Sequence, residues 1–264
     1  MDGHIPQGMT VHTQFVAHTK SLAQPPLHPE AVDAHAAITD YSRFTVALAE
    51  DNAGRMLCWR PVDCPHLAVV GDSGCGQTVT VQNAVVQFAR AHWAVHVAAR
   101  FDFEYEQFRA WPNVRCIATD PDTQIALIGH LKQILRQRLL AGRTRVPAPI
   151  VLLVDNLYEL TGNFSFAHAY SGTPTSDPAT TDLRLLLRYG RRARIHVLTA
   201  TMPRSHAAQL DGETREHFVE LPLSRRHHGP DLSAYLDEDR GFIAHRNLAV
   251  LRPTRTSYEP LDLN

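Results

Sequence analysis

Residues Gly71–Thr78 read Gly-Asp-Ser-Gly-Cys-Gly-Gln-Thr, and the five preceding residues, His66–Val70, are apolar enough to form a short buried strand. A phosphate-binding loop requires Gly, four residues, then Gly-Lys-Ser/Thr, set between a strand and a helix. Gly71, Gly76 and Thr78 satisfy that pattern, and Val79–Ala91 has the apolar density of the helix that should follow. Glycines let backbone N–H groups crowd around phosphate oxygens, and the helix start adds its positive dipole end. At position 77, however, the lysine is replaced by glutamine. The loop Gly71, Asp72, Ser73, Gly74, Cys75, Gly76, Gln77, Thr78 is therefore a nucleotide cradle without its one full positive charge.

Elements on either side extend the same architecture. Residues 1–42 carry Pro25, Pro26 and Pro29 and read as an extended N-terminal arm with one short helix near Glu30–Ile38. The remainder, 43–264, reads as one domain. It opens with a hairpin over 43–62, in which Phe44–Ala49 and Arg55–Arg60 flank the turn Asp51-Asn52-Ala53-Gly54. Ala94–Ala99 reads as a strand. Asp120-Pro121 reads as a helix start and Gly142 as its stop, with Ile125, Ile128, Leu131, Leu135 and Leu139 on one face. Ile150–Asp155 is a continuous apolar run closed by an acid, as in a central parallel strand. A polar insertion loop is expected over 161–181, then a helix at Leu183–Tyr189 and strands at Ile195–Thr201 and Phe218–Leu223. A C-terminal hairpin is expected from Gly241–His245 and Leu248–Leu251. Alternating strands and helices predict an α/β fold with a mostly parallel sheet flanked by helices.

Composition narrows the classes. The formal net charge of −1 excludes a basic nucleic-acid coat, although only two of the 26 basic residues, Lys20 and Lys132, are lysines. No apolar run approaches the ~20 residues of a membrane span, and Met1–Thr19 lacks the order of a signal peptide, so a cytoplasmic chain is expected, with no direct membrane insertion. Cys58, Cys64, Cys75 and Cys116 form no metal-ligand spacing and read as reduced thiols. Of these, Cys75 lies inside the loop, where a helix N-terminus lowers a thiol pKa.

Asp155 is the second chemical clue. An aspartate ending such a strand holds Mg2+ through water in phosphate-loop NTPases, beside the loop's Ser/Thr, here Thr78. The alternative is that Asp155 merely caps the turn after a buried strand. The next position, where a glutamate base often stands, is Asn156, and an amide accepts no proton. Glu159 lies four residues beyond Asp155, too far along the chain for a direct substitute.

From about Phe44 to the C-terminus, ordered blocks resemble the FtsK/SpoIIIE-like DNA-translocating ATPases and the related conjugation coupling proteins. These blocks are Pro65–Gly71 leading into the loop, Trp111-Pro112-Asn113-Val114, Ile150–Asp155, and Leu187–His196 with its Gly190-Arg191-Arg192-Ala193-Arg194-Ile195-His196 passage. The resemblance implies a P-loop NTPase (RecA-like) fold, ATP and Mg2+ as ligands, and homo- or hetero-oligomers with related ATPase subunits. It further implies double-stranded DNA as a partner, bound weakly and only on assembly. The departures fall at the chemistry. Besides Gln77 and Asn156, the family's Thr-Gln-Arg-Pro is Thr201-Met202-Pro203-Arg204 here, and its Asp-Pro-Lys is replaced around Ala99-Arg100-Phe101.

A lysine charge about 4 Å from a phosphate is worth on the order of 4 kcal/mol at an effective dielectric near 20, or roughly a thousandfold in rate if it acts in the transition state. Loss of a general base removes a further factor of about a hundred to ten thousand. The leading expectation is thus a degenerate nucleotide-binding protein, a weak or inactive ATPase acting in DNA translocation or transfer, or in maintenance of a mobile element, plasmid or phage. Two alternatives stand beside it. One is an active translocase whose missing cation comes in trans from Arg188, Arg191, Arg192 or Arg194, which are equally candidates for DNA contact. The other is a scaffold that binds no nucleotide.

Overall fold

The computed structural model describes residues 9–12, 32–50, 56–71, 76–142, 146–171, 178–202, 217–223, 236–237, 242–243 and 252–253. Its centre is a six-stranded parallel sheet. In chain order the strands are β4 (His66–Gly71), β5 (Ala94–Ala99), β6 (Val114–Ala118), β7 (Ile150–Asp155), β8 (Ile195–Thr201) and β9 (Phe218–Leu223). Across the sheet the order is β6-β5-β7-β8-β4-β9. The strand carrying the loop and the strand ending in Asp155 are therefore separated by β8, with Val70 level with Thr201 and Asp155 level with Ala200.

Strand alternation sorts the core into two layers. Leu67, Val69, Val151, Leu153, Leu198 and Ala200 face helix α2 (Gln77–Arg90), meeting Val81, Ala84, Val85 and Phe88. Ala68, Val70, Leu152, Val154, Ile195 and Val197 face the other way, toward α3 (Pro121–Ala141), α4 (Leu157–Ser171) and α5 (Pro178–Tyr189). Burial of the sheet on both faces explains why β7 reads as an unbroken apolar run rather than an alternating one. The fold is thus α/β, a P-loop-NTPase-type parallel sheet flanked by helices.

Ahead of the sheet, α1 (Ala34–Asp40) is capped by Asp33, whose carboxylate accepts from the His35 and Ala36 N–H groups at 2.9 and 3.0 Å. The predicted hairpin is present as β2 (Val46–Glu50) against β3 (Met56–Trp59). It gains β1 (Met9–His12) on one side, within the segment expected as an extended arm, and β12 (Arg252–Pro253) on the other. The α3 boundaries follow their signals, with Asp120 accepting from Thr123 N at 2.9 Å and Gly142 at φ +61°.

Several local expectations are corrected. The stretch predicted as a loop over 161–181 is helical through Ser171, because Leu157, Leu160 and Phe164 recur on one buried face despite the Thr, Gly and Ser among them. Val114–Ala118, to which the sequence reading assigned no element, is the edge strand β6. Near the C-terminus, β10 (Leu236–Asp237) pairs antiparallel with β11 (Phe242–Ile243). The expected turn at Arg246-Asn247 and the strand Leu248–Leu251 lie outside the described residues. No helix among the described residues is long and apolar enough to cross a membrane.

Candidate phosphate-loop site

At the carboxyl end of β4 the chain reaches Gly71, and α2 begins at Gln77 after Gly76. Asp72, Ser73, Gly74 and Cys75 lie outside the described residues. Gly76 occupies φ +98°, a conformation that side chains resist, and its carbonyl accepts from Thr80 N at 2.9 Å and Thr80 Oγ1 at 3.0 Å. This position is thus glycine for a backbone reason.

Gln77 does not stand in for the lysine. Its Nε2 donates to the Thr201 carbonyl at 2.5 Å and to the Val69 carbonyl at 3.3 Å. The amide ties the start of α2 to the ends of β8 and β4, so both of its protons are spent on the protein's own backbone. The Thr201 hydroxyl, at the same strand end, is buried and has no partner among the described residues.

One residue further on, Thr78 stands close enough to the Asp155 carboxylate to lower its pKa. Asp155 is buried, and its Oδ2 accepts from the Tyr105 hydroxyl at 2.8 Å. Burial raises its pKa above the usual carboxylate range, while Thr78 and Tyr105 pull it back. Burial, followed by the charge on Asp155, drives the Tyr105 phenol well above its ordinary value, so this hydroxyl is a fixed donor. Tyr105 was not singled out from the sequence. It lies in a turn between the 3₁₀ segments Asp102–Glu104 and Glu106–Phe108, which no local pattern connects to β7. The turn is held over the site by Gln82 of α2, whose Nε2 donates to the Glu104 carbonyl at 2.7 Å. Burial and the Asp155 charge also raise the pKa of Glu104.

Asn156 has a structural task at the position expected for the base. Its Oδ1 accepts from Glu159 N at 2.9 Å and its carbonyl from Leu160 N at 3.2 Å, which caps α4. Glu159 is paired with Arg100 at 2.8 Å. The residues that would hold Mg2+ are Thr78 and Asp155, a hydroxyl and a buried carboxylate of the oxygen type this hard cation takes. Together with a nucleotide's phosphate oxygens they fit it. Among the described residues no group of three His, Cys, Asp or Glu side chains is arranged to hold a metal by itself.

The arginines Arg188, Arg191, Arg192 and Arg194 lie before Ile195, at the amino end of β8. That end is about 20 Å from the carboxyl end, at the usual rise per strand residue. Arg191 donates to the Val62 carbonyl at 3.0 Å. Arg194 stacks 4.1 Å over the Tyr41 ring and donates to the Ile38 carbonyl at 3.4 Å. Arg188 lies 5.5 Å from the Tyr189 ring, and Arg192 is exposed.

No family model matches the sequence, and no curated protein matches it either. Solved structures do match by shape. The cytoplasmic domain of the type VII secretion ATPase EccC of Thermomonospora curvata shares 16% identity at a TM-score of 0.53, over 68% of this chain and 22% of that one. The monomer form of the pCW3 conjugation coupling protein TcpA with ATPγS shares 15% at 0.53, over 74% and 57%. ATPases 2 and 3 of EssC from Geobacillus thermodenitrificans share 16% at 0.52, over 71% and 35%. The chain has the fold of a P-loop ATPase domain. It spans less than two thirds of each of these three chains, and identities this low speak to fold alone.

Proposed function

We propose that this chain is a nucleotide-binding member of the FtsK/SpoIIIE-like group that turns ATP over slowly or not at all, serving DNA translocation or transfer as a regulatory or non-catalytic subunit. One observation carries the reading. The strand–loop–helix and the Thr78–Asp155 pair are kept, while Gln77 and Asn156, at the two positions of lost chemistry, are bound into the protein's own backbone.

In this reading Gly76 and the α2 start bind phosphate through backbone N–H groups, and Thr78 and Asp155 hold Mg2+, which would neutralise phosphate charge. Tyr105 fixes the Asp155 carboxylate by donating to its Oδ2. No described side chain is placed after Asp155 to take a proton from an attacking water, since Asn156 is an amide and Glu159 is paired with Arg100. Binding survives and turnover fails.

The DNA role rests on the family resemblance and on the likeness to TcpA, which is named as a conjugation coupling protein. Contact with double-stranded DNA is expected only in an assembly, where the exposed arginines of several subunits act together. The test is ATP binding and steady-state phosphate release measured on the same preparation. Binding without release supports the proposal. Release well above background and lost in Asp155→Ala favours the active alternative, and absence of binding favours a scaffold.

A further inference from the structure

The turn that follows β5 has an outer face as well as an inner one. Tyr105 and Phe108 are fully buried, and Trp111 meets Phe108 edge-on at 5.2 Å. Phe101 and Phe103 go the other way. They are 42% and 71% exposed, and their rings stack at 5.4 Å. The backbone beneath them is braced. Gln82 and Gln107 both donate to the Glu104 carbonyl, at 2.7 and 3.0 Å, and Arg109 bridges Asp102 and Glu106. Arg100 lies 4.8 Å from the Phe101 ring and pairs with Glu159, the residue after the 49% exposed Tyr158. Together these rings leave on the order of a few hundred Å2 of aromatic surface open, the size of patch that marks an interaction site.

The charges around the rings say what would cover them. Asp102, Glu104, Glu106 and Glu159 stand against Arg100 and Arg109, and both guanidinium groups are already spent on carboxylates. The Glu104 carboxylate makes no hydrogen bond or ion pair among the described residues. A nucleic-acid phosphate would meet net negative charge and no uncommitted cation here. A lysine or arginine side chain would meet the carboxylates, and its charged end could also lie on the Phe103 ring face. Apolar neighbours of that cation would cover the rest of the aromatic pair. We propose that Phe101 and Phe103 form a docking surface for a basic, apolar segment of a partner protein. The surface is separate from the phosphate loop, and the proposal does not depend on nucleotide binding.

The experiment follows fluorescence anisotropy of three labelled probes with the full chain. They are an amphipathic leucine–lysine peptide, its leucine–glutamate counterpart and oligo-dT. The leucine–lysine peptide should bind saturably, and the other two at least about tenfold more weakly. Phe103→Ser should weaken that binding by about tenfold or more, as for an aromatic anchor, with an unchanged melting temperature. Phe101→Ser should do the same. Glu104→Gln should weaken it about two- to fivefold, the size of one partly screened charge. Leu140→Ser, at an 83% exposed apolar position on α3, should leave it unchanged. Absence of leucine–lysine binding, or equal binding of the leucine–glutamate peptide, overturns the proposal. So does binding that Phe103→Ser leaves intact. Tighter binding of oligo-dT, lost in Phe103→Ser, would make the pair a base-stacking platform instead. A lowered melting temperature in Phe103→Ser would mean that this chain's own residues cover the ring. Self-association in sedimentation that the same variant abolishes would make the occupant a second copy. Each of these three results also overturns the proposal.

Discussion

Gln77 Nε2 lies 2.5 Å from the Thr201 carbonyl oxygen, so the side chain in the lysine position of the loop braces two strands rather than facing the cradle. The substitution has a structural consequence as well as a chemical one. Gln77→Leu should leave the Thr201 and Val69 carbonyls without this donor and lower stability by about 1–3 kcal/mol, seen as a lower denaturation midpoint with unchanged slope. An unchanged midpoint would mean that the brace does not operate in solution.

Gln77→Lys should strengthen ATP binding in Mg2+, since it returns a positive charge to the phosphate-loop position. Titration of both proteins under identical conditions checks this. Unchanged affinity would mean that the loop is not shaped for phosphate, or that the new ammonium stays on the strand carbonyls.

Much of this geometry was legible in the chain. Gly71, Gly76, Thr78 and Asp155 are local signals, because a phosphate loop and an acid-ended strand each have a fixed spacing. The helix limits at Asp120 and Gly142 were equally local, set by a cap and a positive φ. Tyr105 was not legible, since its meeting with Asp155 joins residues 50 apart through a turn that carries no motif. The role of Gln77 escaped for the same reason, as its partner Thr201 is 124 residues away. The helix over Leu157–Ser171 was hidden because Gly, Ser and Thr suggest a loop locally, while tertiary burial of Leu160 and Phe164 decides.

Gly190 explains part of the Gly-Arg-Arg-Ala block in packing terms. A Cβ there would run into the Ile195 backbone carbonyl, with the His66 ring 3.5 Å away. Gly190→Ala should therefore destabilise by about 2 kcal/mol or more, the range of overpacked cores, and reduce soluble yield. Near-wild-type thermal stability would show that the Ile195 backbone yields easily.

Acid should weaken the fold through buried histidines. His66 Nδ1 accepts from Val197 N at 2.9 Å and its Nε2 donates to the Leu187 carbonyl at 2.9 Å. His196 donates from Nδ1 to the Pro65 carbonyl at 2.9 Å and accepts from the Tyr41 hydroxyl at 3.0 Å. Both are neutral by this accounting, with no site for a further proton. Burial, then the neighbouring His196, holds the His66 pKa well below 6.5, and burial lowers that of His196 to about 4. The unfolded chain binds these protons more readily, so stability is full above about pH 6.5 and falls as pH drops toward 4. Each such histidine should cost about 2 kcal/mol by pH 5, which denaturant titrations across pH would show. A midpoint flat from pH 7.5 to 5 would contradict the assigned hydrogen bonds.

Turnover is expected to be negligible, because Asn156 caps a helix where a base would act. Phosphate release should match a protein-free control and be unaffected by Asp155→Ala. Release well above background and lost in that variant would show a base or cation supplied from elsewhere, as by a neighbouring subunit.

The central claim is that the loop still holds nucleotide after losing its lysine. Calorimetry with ATP and excess Mg2+, at protein concentrations high enough to detect sub-millimolar affinity, tests it most directly. The account predicts saturable binding. Absence of any saturable heat with Mg2+ present would contradict it and leave the fold as a scaffold.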